Sequence, residues 1–98
     1  RGGVNISPEE LDELISSHEQ ISEAVVVAYP DDIMGEKVCA VIVPHEGQII
    51  TLLDICSFLE ELKVAKFKWP EKLLTIKALP RNAMNKVVRS ELAKLIKV

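Results

Sequence analysis

The chain has 98 residues, 48% hydrophobic and 28% charged, enough for one domain with one core and too few for two. That balance excludes a disordered tail. No apolar run approaches the roughly 20 residues that cross a bilayer, no signal peptide opens the chain, and Arg1 in place of Met points to a piece of a longer protein.

Two cysteines, Cys39 and Cys56, form no CxxC pair and have no clustered histidines, so neither a zinc site nor a disulfide framework is indicated. Both fall in apolar patterns and read as small buried hydrophobes. Reduced thiols suit a cytoplasmic location. The net charge of −3 conceals an asymmetry. Residues 1–62 carry two basic and thirteen acidic side chains, a balance of −11, whereas residues 63–98 carry ten basic and two acidic, a balance of +8. A cationic end attracts anions, either nucleic acid or phosphorylated small molecules. Alternatively, the two halves pair with each other across the surface.

Taken in order, the opening "RGGVNISPEELDELISSH" holds a glycine pair, a short extended piece (Val4 to Ile6) and a helix start. Ser7 is the expected N-cap, Pro8 the first helical residue and Glu10 the partner in a capping box. Leu11, Leu14, Ile15 and His18 share one helical face. Ser22–Pro30 reads as a strand with Ala24, Val26 and Ala28 on one face and Val25, Val27 and Tyr29 on the other, so it is covered on both sides. A turn at Pro30-Asp31-Asp32 leads through Gly35 to a second strand, Glu36–Pro44, with which an antiparallel pairing is expected. His45 stands in a polar turn.

A second helix follows Thr51, its expected cap, with Asp54 in the first turn and Leu52, Ile55, Cys56, Leu59 and Leu62 as the buried stripe. A basic aromatic link, "VAKFKWP", leads to a short third strand, "EKLLTIK", which Leu79-Pro80 breaks. A last helix uses Val88, Leu92, Leu95 and Ile96. The sum is a single α+β domain over residues 1–98: a small, mostly antiparallel three-stranded sheet with about three helices packed on it and a short extended N-terminal segment.

The local motifs supply no complete active site. No nucleophile–base pair, phosphate loop or metal-ligand cluster appears. Two features exceed simple packing. Arg1-Gly2-Gly3 precedes a capped helix, and adjacent glycines allow close approach of a chain or ligand to the backbone, although a domain linker has the same composition. Lys86 stands behind Asn85, a residue that tolerates the left-handed region. It is either a solvated lysine or a point charge held out to meet a phosphoryl or carboxylate oxygen.

In order along the chain, "GGVNISPEELDELISSH", "EAVVVAYPDDIMGEKVCAVIVP", "FKWPEKL" and "LPRNAMNKVVRSEL" resemble the C-terminal domain of adenylate-forming acyl- and aryl-CoA synthetases. The resemblance covers essentially all 98 residues. Asn-Lys before the last helix replaces the commoner Gly-Lys and is similar to the "KNALNK"-like stretch of halobenzoate-CoA ligases.

The resemblance implies activation of a carboxylic acid with ATP and Mg²⁺, then capture of the acyl group by the thiol of CoA. It implies a large N-terminal domain that holds ATP and acid, and a small C-terminal domain that swings between two poses, inactive alone. Lys86 is the implied catalytic lysine for adenylation. Gly2 and Gly3 line the pantetheine tunnel in the second pose. Phe67 and Lys68 are implied contacts for CoA, with Arg1 and Lys66 as candidate phosphate contacts and no metal ligand in this chain.

The implied partners are the chain's own N-terminal domain, ATP, CoA and a carboxylic acid, with no nucleic acid and no membrane span. The hinge residue and the N-terminal domain lie outside this chain. In the halobenzoate-type ligases an aromatic packs on the CoA adenine where this chain has Met34. Basic residues meet CoA phosphates where it has Trp69 and Glu71. Two rival readings remain: an adenylation enzyme that loads a carrier protein, and a stand-alone module binding nucleotides or a protein.

Overall fold

The first two helix starts are each written in a local side-chain exchange. The computed structural model describes residues 6–33 and 35–96. In α1 (Pro8–Ser16), the Ser7 hydroxyl accepts from the Glu10 N–H at 3.1 Å while the Ser7 N–H donates to Glu10 Oε1 at 3.0 Å. In α2 (Leu52–Glu61), Thr51 and Asp54 make the same reciprocal pair at 3.1 and 2.8 Å. Each exchange satisfies two of the main-chain donors that a helix start leaves unpaired.

The end of α2 is a Schellman motif built without glycine. Lys63 takes φ +66°. Its N–H donates to the Glu60 carbonyl, and the Val64 N–H donates to the Leu59 carbonyl, both at 3.0 Å. Val64 and Leu59 are then buried in one apolar cluster, the contact that usually accompanies this cap.

The sheet has the order β1 (Ile21–Asp31), β2 (Gly35–Pro44), β3 (Lys72–Thr75). β1 and β2 are antiparallel, running from Ile21 opposite Pro44 to Asp31 opposite Gly35. β2 and β3 are parallel, from Cys39 opposite Lys72 to Ile42 opposite Thr75. A parallel neighbour needs a long crossover, which α2 and a 3-10 turn at Lys66–Lys68 provide. The sheet is therefore mixed, with the long antiparallel pair dominant. Its third strand is shorter than the expected 71–77.

Side chains alternate across β1 as expected. Ala24 and Val26 enter one core with Leu11, Ile15, Ala40, Ile42, Ile55 and Leu59, beneath α1 and α2. Val25, Val27 and Tyr29 enter a second core with Cys39, Val41, Leu79, Leu92 and Ile96 on the opposite face. Ala28 is exposed.

Three expectations shift in detail. Leu62 is 39% exposed, because the chain turns away there into the helix cap. The last helix, α3 (Arg89–Ala93), is only five residues long. Val88 is its extended N-cap without a side-chain bond, and Leu95 lies half exposed while Leu92 and Ile96 do the packing. Cys39 is buried and Cys56 only half-buried, both as free thiols, and burial pushes both above the usual thiol range.

Arg1, Gly2, Gly3, Val4 and Met34 lie outside the described residues. Among the described residues no helix is long and apolar enough to cross a membrane, and no group of three or more His, Cys, Asp or Glu is placed to hold a metal.

Candidate functional site

Lys86 sits on one arm of a small hairpin between β3 and α3. An antiparallel bridge joins Arg81 to Val87. The Asn82 N–H donates to the Lys86 carbonyl at 2.9 Å, and the Val88 N–H to the Pro80 carbonyl at 2.9 Å. The turn is closed by the Asn85 N–H on the Asn82 carbonyl at 2.9 Å, after which Asn85 takes φ +65°. A turn followed by one left-handed residue is a common three-residue hairpin connection, and its last position favours Gly or Asn. The Asn85-Lys86 spelling follows from that backbone.

Two side chains stiffen the hairpin. The Asn82 Oδ1 accepts from the Met84 N–H at 2.9 Å and from the Lys86 N–H at 3.0 Å, a local bond typical of Asn in turns. Arg81 forks, with Nη1 donating to the Asn85 carbonyl at 2.9 Å and Nη2 to Glu23 Oε1 on β1 at 2.5 Å. Leu79 is buried and Val87 packs beside it, anchoring the base in the core under α3. The tip is exposed, with Met84 77% accessible. Lys86 is exposed and makes no ion pair among the described residues.

The second expected group stands on the 3-10 turn. Phe67 is 72% exposed, and Lys68 Nζ lies 5.8 Å from its ring centroid. Lys66 is exposed beside them. Together with Cys56, Trp69, Pro70 and Glu71, Lys66 and Phe67 line an open groove. Trp69 is structural: its Nε1–H donates to the Val64 carbonyl at 2.9 Å and its ring packs on the core under α1 and α2. Glu71 is held by Lys37 at 3.3 Å, and Lys37 also reaches Asp31 at 3.4 Å. The bond to Glu71 is the leading reason the Lys37 ammonium is held above its ordinary range.

The structure does not gather these residues into one pocket. The Lys86 hairpin is rooted in the core under α3, whereas the Lys66–Lys68 turn is rooted through Val64 and Trp69 in the core on the other face. The charge asymmetry is partly spent within the fold, since Arg89 pairs with Asp12 and Arg81 with Glu23 across the two halves. Lys63, Lys66, Lys68, Lys77 and Lys86 keep no ion pair among the described residues. Motif reading missed Arg81, Asn82 and Glu23. The one signal for the ion pair was the opposite charge of the two halves, and that named no partners.

The AMP-binding enzyme C-terminal domain family matches residues 10–86. The medium-chain fatty-acid–CoA ligase of Escherichia coli (strain K12) is 37% identical over 97 residues, 96% of this chain and 17% of that protein. The 2-succinylbenzoate–CoA ligase of Bacillus cereus (strain AH820) is 43% identical over 95 residues, 97% of this chain and 19% of that protein. The apo structure of Mycobacterium smegmatis MbtA superposes with a TM-score of 0.87 at 33% identity, covering 98% of this chain and 18% of that one. The chain belongs to the AMP-binding enzyme C-terminal domain family. It spans less than a fifth of the length of these relatives.

Proposed function

We propose that the chain is the mobile C-terminal domain of a cytoplasmic, ATP-dependent acyl- or aryl-CoA synthetase, and that Lys86 is its adenylation lysine. One observation carries the reading. In a chain that matches the family through Lys86, that lysine stands exposed and without an ion pair among the described residues, on a hairpin stiffened by its own side chains.

Adenylation joins two anions, the acid and the nucleotide phosphate. A fixed cation lowers their repulsion and aligns them. At about 4 Å and an effective dielectric near 20, one such pair is worth roughly 4 kcal/mol. ATP and Mg²⁺ belong on the N-terminal domain, which by this reading is why the isolated chain is inactive. When bound, CoA supplies the thiol that takes the acyl group. Phe67 offers it an exposed aromatic face, with Lys66 and Lys68 as cations for its phosphates. Gly2 and Gly3 would line the pantetheine passage and Arg1 a phosphate, by likeness to the family. Two separate faces suit two half-reactions served by one swinging domain. The Asn-Lys spelling supports a likeness to halobenzoate-type ligases.

The test is Lys86→Ala in the full-length parent protein. Acid-dependent ATP–pyrophosphate exchange should fall by about 10²–10³-fold, while thioester formation from supplied acyl-adenylate largely survives. Unchanged exchange would sink the assignment. Product formed only with a carrier protein, and none with CoA, would move the acceptor from CoA to a carrier thiol.

A further inference from the structure

We propose that Arg81, anchored by Glu23, is the positioning residue that aims Lys86 during adenylation. The assignment rests on Lys86 being the adenylation lysine. The base of the hairpin is held by Leu79 and Val87, but its outer part is exposed. A cation on such a loop loses effect if its backbone drifts, and misplacement by about 1 Å can cost roughly 10²-fold in rate.

Arg81 is the one charged side chain in the described hairpin that ties it to another element. Its two terminal nitrogens bond different targets: the carbonyl of Asn85, which directly precedes Lys86, and the carboxylate of Glu23, 58 positions away on β1. The planar guanidinium makes that fork rigid. Glu23 lies at the register shift near the start of β1, opposite Val43 of β2. The peptide joining Asn85 to Lys86 is thereby fastened to the sheet through one side chain. Asn82 completes the hold by accepting from the Lys86 N–H. Arg81 acts through Lys86 and is given no contact with substrate.

The experiment compares wild type, Arg81→Ala, Lys86→Ala and the double variant in the full-length parent protein. Both half-reactions are measured for each. Arg81→Ala should lower the exchange kcat by up to about 10²-fold, leave the KM for ATP near wild type, and spare thioester formation from supplied acyl-adenylate. The double variant should be no slower in exchange than Lys86→Ala alone, since a residue that works only through another has nothing left to position.

Glu23→Gln keeps an acceptor without the charge, so it should show a smaller loss in the same direction. It also serves as the reporter if Arg81→Ala fails to fold: a folded Glu23→Gln protein with wild-type exchange overturns the proposal. So do losses that multiply in the double variant. If Lys86→Ala itself leaves exchange intact, the assignment of Lys86 fails. If Lys86→Ala collapses exchange but Arg81→Ala, folded, does not alter it, only the positioning role fails.

Discussion

Asp12 and Arg89, 77 positions apart in sequence, meet at 2.6 Å and together satisfy both main-chain groups of Val26. Asp12 Oδ1 accepts from the Val26 N–H at 2.7 Å, and Arg89 Nη1 donates to the Val26 carbonyl at 2.6 Å. β1 is an outer strand of the sheet. Its free edge is a template on which another strand can pair, and native proteins cover such edges. Here a helix-borne acid and a helix-borne base do so with side chains. They also fasten α1 and α3 to opposite faces of the same strand.

Breaking that clamp should be costly in an asymmetric way. Asp12→Ala removes the acceptor for the Val26 N–H and the partner of Arg89, two bonds to a charged group that is mostly buried. The expected loss is about 2–3 kcal/mol, read from urea denaturation of the 98-residue chain. Arg89→Met keeps the apolar stem and should cost about 1 kcal/mol. Both variants should self-associate more readily than wild type in sedimentation. Equal, near-zero losses would show that the pair is incidental.

The cap of α2 predicts a pH dependence. The Thr51 N–H beside Asp54 holds that carboxyl below its ordinary range, with His18 contributing in the same direction. A depressed folded pKa contributes stability above the unfolded value, and that contribution is lost as pH falls through the folded one. Asp54→Ala should therefore lower Tm at about pH 7, and the gap to wild type should close toward about pH 2. A gap of constant size across that range would place the effect of Asp54 elsewhere than in its charge.

Much of this was legible where the physics is local. The caps at Ser7 and Thr51, the two-sided strands and the left-handed Asn85 each depend on residues within a few positions of one another. Partners chosen by topology were not legible. Asp12 finds Arg89, and Glu23 finds Arg81, only after the sheet brings together residues 77 and 58 positions apart. The sign of each half of the chain foretold some pairing but could not say which charges would be left over. Lys63 hid the end of α2 because a lysine occupies the left-handed cap where glycine would have marked it. The last helix reads as longer than it is because Leu95 continues the apolar spacing although it faces solvent.

Among the described residues, the two left-handed non-glycine positions, Lys63 and Asn85, should respond differently to glycine. A side chain in that region costs about 1–2 kcal/mol, less for Asn than for most. Lys63→Gly should stabilise the chain by roughly 0.5–1 kcal/mol once the added freedom of the unfolded glycine is subtracted. Asn85→Gly should be near neutral for stability and leave exchange activity in the parent protein close to wild type. Asn85→Val should cost about 1–2 kcal/mol and lower that activity with it, because the turn that presents Lys86 no longer closes. Chemical denaturation of the three variants beside wild type decides the matter.

Phe67 and Trp69 stand two residues apart and should separate function from structure. Phe67 is largely exposed, so Phe67→Ala should change stability by no more than about 0.5 kcal/mol. If its ring offers CoA a surface, the same substitution should raise the KM for CoA in the full-length protein and leave ATP–pyrophosphate exchange alone, since CoA takes no part in that step. Trp69 donates its indole N–H to Val64 and packs on the core. Trp69→Phe keeps an aromatic but leaves that carbonyl without its donor, costing about 1 kcal/mol with little change in the KM for CoA. An exchanged pattern, with Trp69→Phe weakening CoA and Phe67→Ala weakening the fold, would put the nucleotide against the tryptophan and refute the division of labour along this turn.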